Sequence, residues 1–249
     1  MGVIMKILLL VLFPVFACLA QEGTAEPAIT RKQADDILNE LRQIRQLLEG
    51  QNKSAALSPA EAPAPLTGRV RLDQGFSLGS SGAPLAIVEF TDYECPFCRQ
   101  FQSTTFAEIR KQFVDTGKVR FVVRDFPLIN HPFAFPAAEA AHCAGDQGKF
   151  WPMHDALFSD PGQLVQKRLI EHAQALSLDV DSFRSCLQTG QHKLEIQDQI
   201  QVAASLQVQG TPSFLIGKIT GGEVAGKIVL GALTFSTFEA MLKEAEATR

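Results

Sequence analysis

The segment Cys95-Pro96-Phe97-Cys98 constrains this chain most, because it joins a run that reads as a buried strand to one that reads as a helix. Before it, Leu85-Ala86-Ile87-Val88-Glu89-Phe90 is almost unbroken apolar sequence, as expected of a strand covered on both faces. After it, Phe97, Phe101, Phe106, Ile109 and Phe113 recur at roughly helical spacing. With Cys95 at the helix N-cap, Pro96 takes the first helical position, where its missing N–H costs nothing. The Cys95 thiol then faces free N–H groups and the positive end of the helix dipole, which favour thiolate. Cysteines so placed fall from about 8.5 to roughly 3.5–7.5 in pKa. Cys98 lies one turn on, near enough to close a disulfide and more sheltered. The expected chemistry is exchange. Cys95 thiolate attacks a substrate disulfide, or an oxidised Cys95 sulfur is attacked by a substrate thiolate, and Cys98 resolves the mixed disulfide.

The competing reading of a C-x-x-C is half of a zinc site. Zinc normally takes four ligands, often from a second closely spaced pair. Cys143 and Cys186 are instead lone cysteines, and no histidine lies close to Cys95. The histidines His131, His142, His154, His172 and His192 show no ligand spacing and read as structural or surface groups. Redox use is the preferred reading, with no metal and no cofactor. Two further features bear on it. Gly210-Thr211-Pro212-Ser213-Phe214 opens a strand, where a proline is tolerated. Base rates alone make Pro212 a trans proline. Glu89 is a carboxylate within an apolar strand, which is expensive unless paired or protonated. It either relays protons beneath the cysteines or sits at a strand edge paired with Arg124. Taken alone, the second reading is the plainer one.

The 249 residues are 46% hydrophobic and 20% charged, which excludes a mostly disordered chain. A net charge of −4 excludes a basic nucleic-acid footprint. Residues 1–20 read as a secretory signal: Lys6, an apolar run too short for a membrane span, and small residues before Gln21. An uncleaved anchor and a lipid attachment at Cys18 are the weaker readings, the latter because Phe16 is bulky for such a motif. Cleavage leaves four cysteines in an exported protein, which suggests two disulfides.

Thr30-Arg31-Lys32-Gln33 fits a capping box. Ala34, Ile37, Leu41, Ile44 and Leu48 follow as a helical stripe, and Gly50 sits where the helix would stop. Residues 29–50 are thus an amphipathic helix, packed on its own domain or self-associating as a short coiled coil. Residues 51–69, rich in Ala, Pro and Ser, read as a semi-extended linker. From Val70 the order is strand, helix, strand, helices over about 130–202, two strands and a closing helix from Phe235 to Ala247. That is an α/β layout with a helical insertion.

Taken together, Glu89, Cys95-Pro96-Phe97-Cys98, Arg124-Asp125-Phe126-Pro127-Leu128, Ala141-His142-Cys143-Ala144, Gln147-Gly148-Lys149-Phe150-Trp151 and Gly210-Thr211-Pro212 resemble the DsbA-like thiol-disulfide oxidoreductases, in the same order. The likeness runs from about Val70 to the C-terminus. It looks closest to the branch with an N-terminal oligomerisation segment, which includes the suppressor-of-copper-sensitivity thioredoxin-like proteins. The resemblance implies a thioredoxin fold with a helical insertion, and an exported oxidoreductase or isomerase. It implies a cis Pro212 against the Cys95–Cys98 pair, Thr211 on the bound peptide backbone, and Glu89 as a buried acid. Exported proteins with thiols or disulfides would be its substrates, a membrane protein would recharge the pair, and residues 29–50 would make a homo-oligomer. A copper-sequestering thioredoxin-fold protein is the alternative, since soft thiolates suit Cu(I). Cys143 and Cys186 are expected to form a structural disulfide. One departure stands out. DsbA has His where this chain has Phe97, which offers no charge, and Asp92 and Glu94 add negative charge that opposes a thiolate. A milder oxidant than DsbA, or an isomerase, follows.

Overall fold

The computed structural model describes residues 30–55 and 66–247 apart from 161 and 163, with side chains of the first segment described to residue 47. The signal at residues 1–20, Cys18, and positions 56–65 of the expected linker lie outside the described residues.

The first segment is one helix, α1 (Arg31–Ala55). Its start is the expected capping box: Gln33 N donates to Thr30 Oγ1 at 3.3 Å and Thr30 N to Gln33 Oε1 at 3.0 Å. The linker boundaries need correction at both ends. The helix runs through Gly50 to Ala55, and a strand already holds residues 67–69. An internal glycine costs a helix only about 1 kcal/mol, too little to end one by itself.

The second segment carries a six-stranded sheet in the order β1-β6-β5-β3-β4-β2. Its strands are β1 (Thr67–Arg71), β2 (Phe76–Leu78), β3 (Leu85–Thr91), β4 (Val119–Asp125), β5 (Ser213–Thr220) and β6 (Glu223–Leu230). β3 pairs parallel with β4, Glu89 opposite Val123, and antiparallel with β5, Glu89 opposite Phe214. Between β3 and β4 lies a helical rod: α2 (Pro96–Phe101), a π turn (Gln102–Phe106), α3 (Ala107–Ile109) and a second π turn (Arg110–Val114). Between β4 and β5 lie α4 (Ala134–Gly145), α5 (Phe150–Ser159), α6 (Gln166–Ala175), α7 (Val180–Thr189) and α8 (Lys193–Ser205). α9 (Phe235–Ala247) closes the chain.

Every residue of β3 is buried. Leu85 and Ile87 join the core with Phe101, Ile109, Phe214 and Phe238, while Ala86, Val88 and Phe90 join the opposite core with Val122, Ala203 and Leu215. Period-two alternation thus feeds two apolar layers from one strand, which explains its unbroken apolar sequence. Glu89 faces the layer that holds the cysteines. No helix of the described residues is long and apolar enough to cross a membrane.

Candidate active site

Cys95 is the N-cap of α2, with extended backbone (φ −68°, ψ 121°), and Pro96 is the first helical residue. The turn before it is fixed by Asp92. Its Oδ1 accepts from Glu94 N at 2.8 Å and Cys95 N at 3.1 Å. Its Oδ2 accepts from Leu128 N at 2.8 Å and lies 2.7 Å from His131 Nδ1. Four contacts on one buried carboxylate tie the cysteine turn to the loop after β4. Glu94 is occupied too, accepting from Phe133 N.

The Cys95 sulfur lies 3.2 Å from the Thr211 carbonyl oxygen, and the Thr211-Pro212 bond is cis. Pro212 is thus cis, as the resemblance implies and against the base rate for X-Pro bonds. Cys95 and Cys98 are both free thiols, and Cys98 is fully buried. The Cys95 pKa is lowered to about 5. A hydrogen bond from the Cys98 thiol is the main cause, opposed by burial and helped by Thr211 and the backbone amides of Cys98 and Phe97. The two nearby acids, Asp92 and Glu94, are engaged by N–H groups and His131. The Cys98 thiol is pushed up, chiefly by burial, then by Cys95 and Glu89. One sulfur is thus held ready as a thiolate and its neighbour as a thiol.

Glu89 is fully buried, accepting from Thr91 Oγ1 at 3.0 Å and Gln102 Nε2 at 2.9 Å. Burial raises its pKa to about 8, so it carries a proton at neutral pH. The edge-strand alternative fails. β3 is central, and the Arg124 guanidinium bonds Gln74 Oε1 and the Arg71 carbonyl.

A groove of ≈ 760 Å³ opens over Cys95, walled by Phe97, Leu128, His131, Thr211 and Leu230. Phe97 and Leu230 are each 59% exposed and give the groove apolar lining. Cys143 on α4 and Cys186 on α7 form a disulfide with Cα atoms 5.9 Å apart. Sequence reasoning passed over Asp92 as a latch and Gln102 as the donor to Glu89, and read the histidines only as structural or surface groups. His131 lines the groove. His142 is buried between Asp125 and Glu195; burial lowers its pKa, but those two partners outweigh it and raise it to about 10. Asp92 did carry a local signal, an acid two and three residues before the N–H groups that it accepts from, but the partners of Gln102, His131 and His142 come from distant elements.

Residues 72–244 match the family model described as Thioredoxin. Among curated relatives, the Na(+)/H(+) antiporter NhaA 1 of Salinispora arenicola is 37% identical over 163 residues, 65% of this chain and 24% of that protein. The chain thus spans about a quarter of the length of the antiporters it matches. A probable disulfide bond formation protein D of Bacillus anthracis is 28% identical over 148 residues, 56% of this chain and 68% of that protein. The oxidised form of BdbD from Bacillus subtilis superposes with a TM-score of 0.64 at 20% identity, covering 73% of this chain and 97% of that one. With its family match spanning most of the sheet unit and its architecture shared with these structures, the chain belongs to the thioredoxin family and has the fold of the DsbA-like thiol-disulfide oxidoreductases.

Proposed function

We propose that this protein is an exported oxidoreductase that forms or isomerises disulfides in protein substrates through Cys95 and Cys98. The observation that carries the reading is the Cys95 sulfur at a helix N-terminus, its pKa lowered to about 5, beside a buried thiol and under an apolar groove. In the oxidising direction a substrate thiolate attacks Cys95 of the Cys95–Cys98 disulfide. The Cys95–substrate bond forms, the Cys95–Cys98 bond breaks, and Cys98 leaves with the electron pair and takes up a proton. Glu89, protonated at neutral pH beneath the pair, supplies it and is reprotonated afterwards. A second substrate thiolate then attacks the substrate sulfur of the mixed disulfide. Cys95 departs as a stable thiolate, and the pair has gained two electrons.

Low pKa at Cys95 stabilises the reduced form and makes the pair oxidising. About 5 lies between thioredoxin at about 7 and DsbA at about 3.5, which supports an oxidant milder than DsbA. Phe97, Leu230 and the Thr211 backbone suit an extended peptide with apolar side chains. Export follows from the signal-like residues 1–20, and a membrane protein would reoxidise the pair. α1 supports self-association: Ile37, Leu41 and Ile44 form an exposed stripe, 49%, 55% and 52% accessible.

The test is reduction of insulin and refolding of scrambled ribonuclease, with Cys95→Ala as control. Activity in the parent chain and none in Cys95→Ala is expected, and Cys98→Ala should trap mixed disulfides that name the substrates. A chain inert in both assays that binds Cu(I) through the two thiols would replace this reading with sequestration.

A further inference from the structure

A second polar centre lies in the helical insertion. His142 on α4, His192 at the N-cap of α8 and Glu195 in the first turn of α8 converge on one point. His142 Nδ1 is 3.4 Å and His192 Nδ1 is 3.3 Å from the same oxygen, Glu195 Oε2. The far nitrogen of each ring is already held. His142 Nε2 lies 2.7 Å from Asp125 Oδ2, and His192 Nε2 lies 2.8 Å from Asp146 Oδ2. An ionised carboxylate only accepts, so each Nε2 carries hydrogen; without a metal His142 also holds a proton on Nδ1, facing Glu195, which a bound ion displaces. His142 is 1% exposed, and its Nδ1 makes no hydrogen bond of acceptable geometry.

Separations of 3.3 and 3.4 Å are long for hydrogen bonds, which cluster at about 2.7–3.2 Å. The His192 contact is a long hydrogen bond, and both separations also match the spacing of ligands around a shared ion. With zinc–nitrogen and zinc–oxygen bonds of about 2.0–2.2 Å, tetrahedral ligands stand roughly 3.3–3.5 Å apart. A carboxylate on the far nitrogen is also how metal-binding imidazoles are oriented.

We propose that His142 Nδ1, His192 Nδ1 and Glu195 Oε2 form a binding site for a divalent transition-metal ion, best suited to Zn²⁺, with Asp125 and Asp146 as the outer carboxylates. One donor atom from each of His142, His192 and Glu195 lies within 4.8 Å of the other two. Two imidazoles and a carboxylate are a donor set that zinc accepts, leaving a fourth position for water. Glu195 is 45% exposed and gives the ion a way in. The ion takes the place of a proton between His142 and Glu195. It ties α4 to α8, and through Asp125 to the end of β4, beside the disulfide that ties α4 to α7. Its role is to hold the insertion together, apart from the redox chemistry.

The experiment uses the full chain with Cys95–Cys98 oxidised, so that the thiols do not compete. Zn²⁺ is titrated by calorimetry, Co²⁺ by visible absorption, and thermal melting is followed with and without Zn²⁺. One Zn²⁺ per chain, a tetrahedral Co²⁺ spectrum and a raised Tm are expected. His192→Gln and Glu195→Gln, both on the solvent side, should lose at least ten-fold in affinity and lose the Tm rise. Asp146→Asn should weaken binding by about 10–100-fold. Absence of stoichiometric binding in the parent chain, or equal binding by His192→Gln and the parent, overturns the proposal.

Discussion

Cys95 and Glu89 titrate in opposite senses because one is stabilised as an anion and the other is denied water. Cys95 falls from an ordinary 9.0 to about 5. Thiolate absorbance at 240 nm should therefore rise with a midpoint near pH 5 and vanish in Cys95→Ser; a midpoint above 8 removes the helix-terminus argument. Between pH 5 and 9 the folded, reduced chain has released a proton that the unfolded chain keeps. The stability of the reduced form thus rises with pH across that window and is lost as pH falls through 5. Glu89 runs the other way, from 4.5 to about 8. The folded chain keeps a proton that the unfolded chain has lost, so stability declines from pH 4.5 to 8, by at most about 1.4 kcal/mol per unit. Urea unfolding of the oxidised protein should show this decline, and Glu89→Gln should abolish it while slowing release of Cys98. The cysteine positions were legible because a proline and a strand–helix junction declare them locally. Gln102, His131 and the link from Asp92 to Leu128 were not, because each acts on a residue brought to it by the fold.

At the scale of elements, the rod after Cys95 shows why the spacing was only roughly helical. Phe101 and Phe106 are five residues apart, which in an α-helix would turn them about 140° from one face. The π turn at Gln102–Phe106 absorbs the extra residue, and both rings reach the core with centroids 6.1 Å apart. The same turn begins with Gln102, the donor to Glu89. Roughly helical spacing was therefore a correct reading of an irregular helix. β1 and β2 went unread because short edge strands such as Thr67–Arg71 carry little apolar pattern. The insertion was legible as helices, but its cross-link depends on tertiary approach. Cys143→Ser with Cys186→Ser should cost roughly 4 kcal/mol in unfolding free energy for a 43-residue separation. A loss below about 1 kcal/mol would mean that the bond does little for the fold.

For the whole molecule, the central α/β layout followed from apolar runs long enough to stand alone, whereas assembly state depends on surfaces that only meet in solution. If α1 self-associates, replacing Ile37, Leu41 and Ile44 with Asn should reduce the mass measured by light scattering to that of one chain, with disulfide reduction of insulin retained. An unchanged mass would assign the stripe elsewhere. The unequal shelter of the two active-site sulfurs has a consequence of its own. Cys98 is fully enclosed, and Cys95 meets solvent only at the groove. Hydrogen peroxide therefore strikes a single atom, and the sulfenic acid formed there has a thiol waiting behind it. Condensation yields the working disulfide before a second oxidant arrives, so mass spectrometry after peroxide should find sulfinic acid in Cys98→Ala and almost none in the parent: damage is converted into recharge.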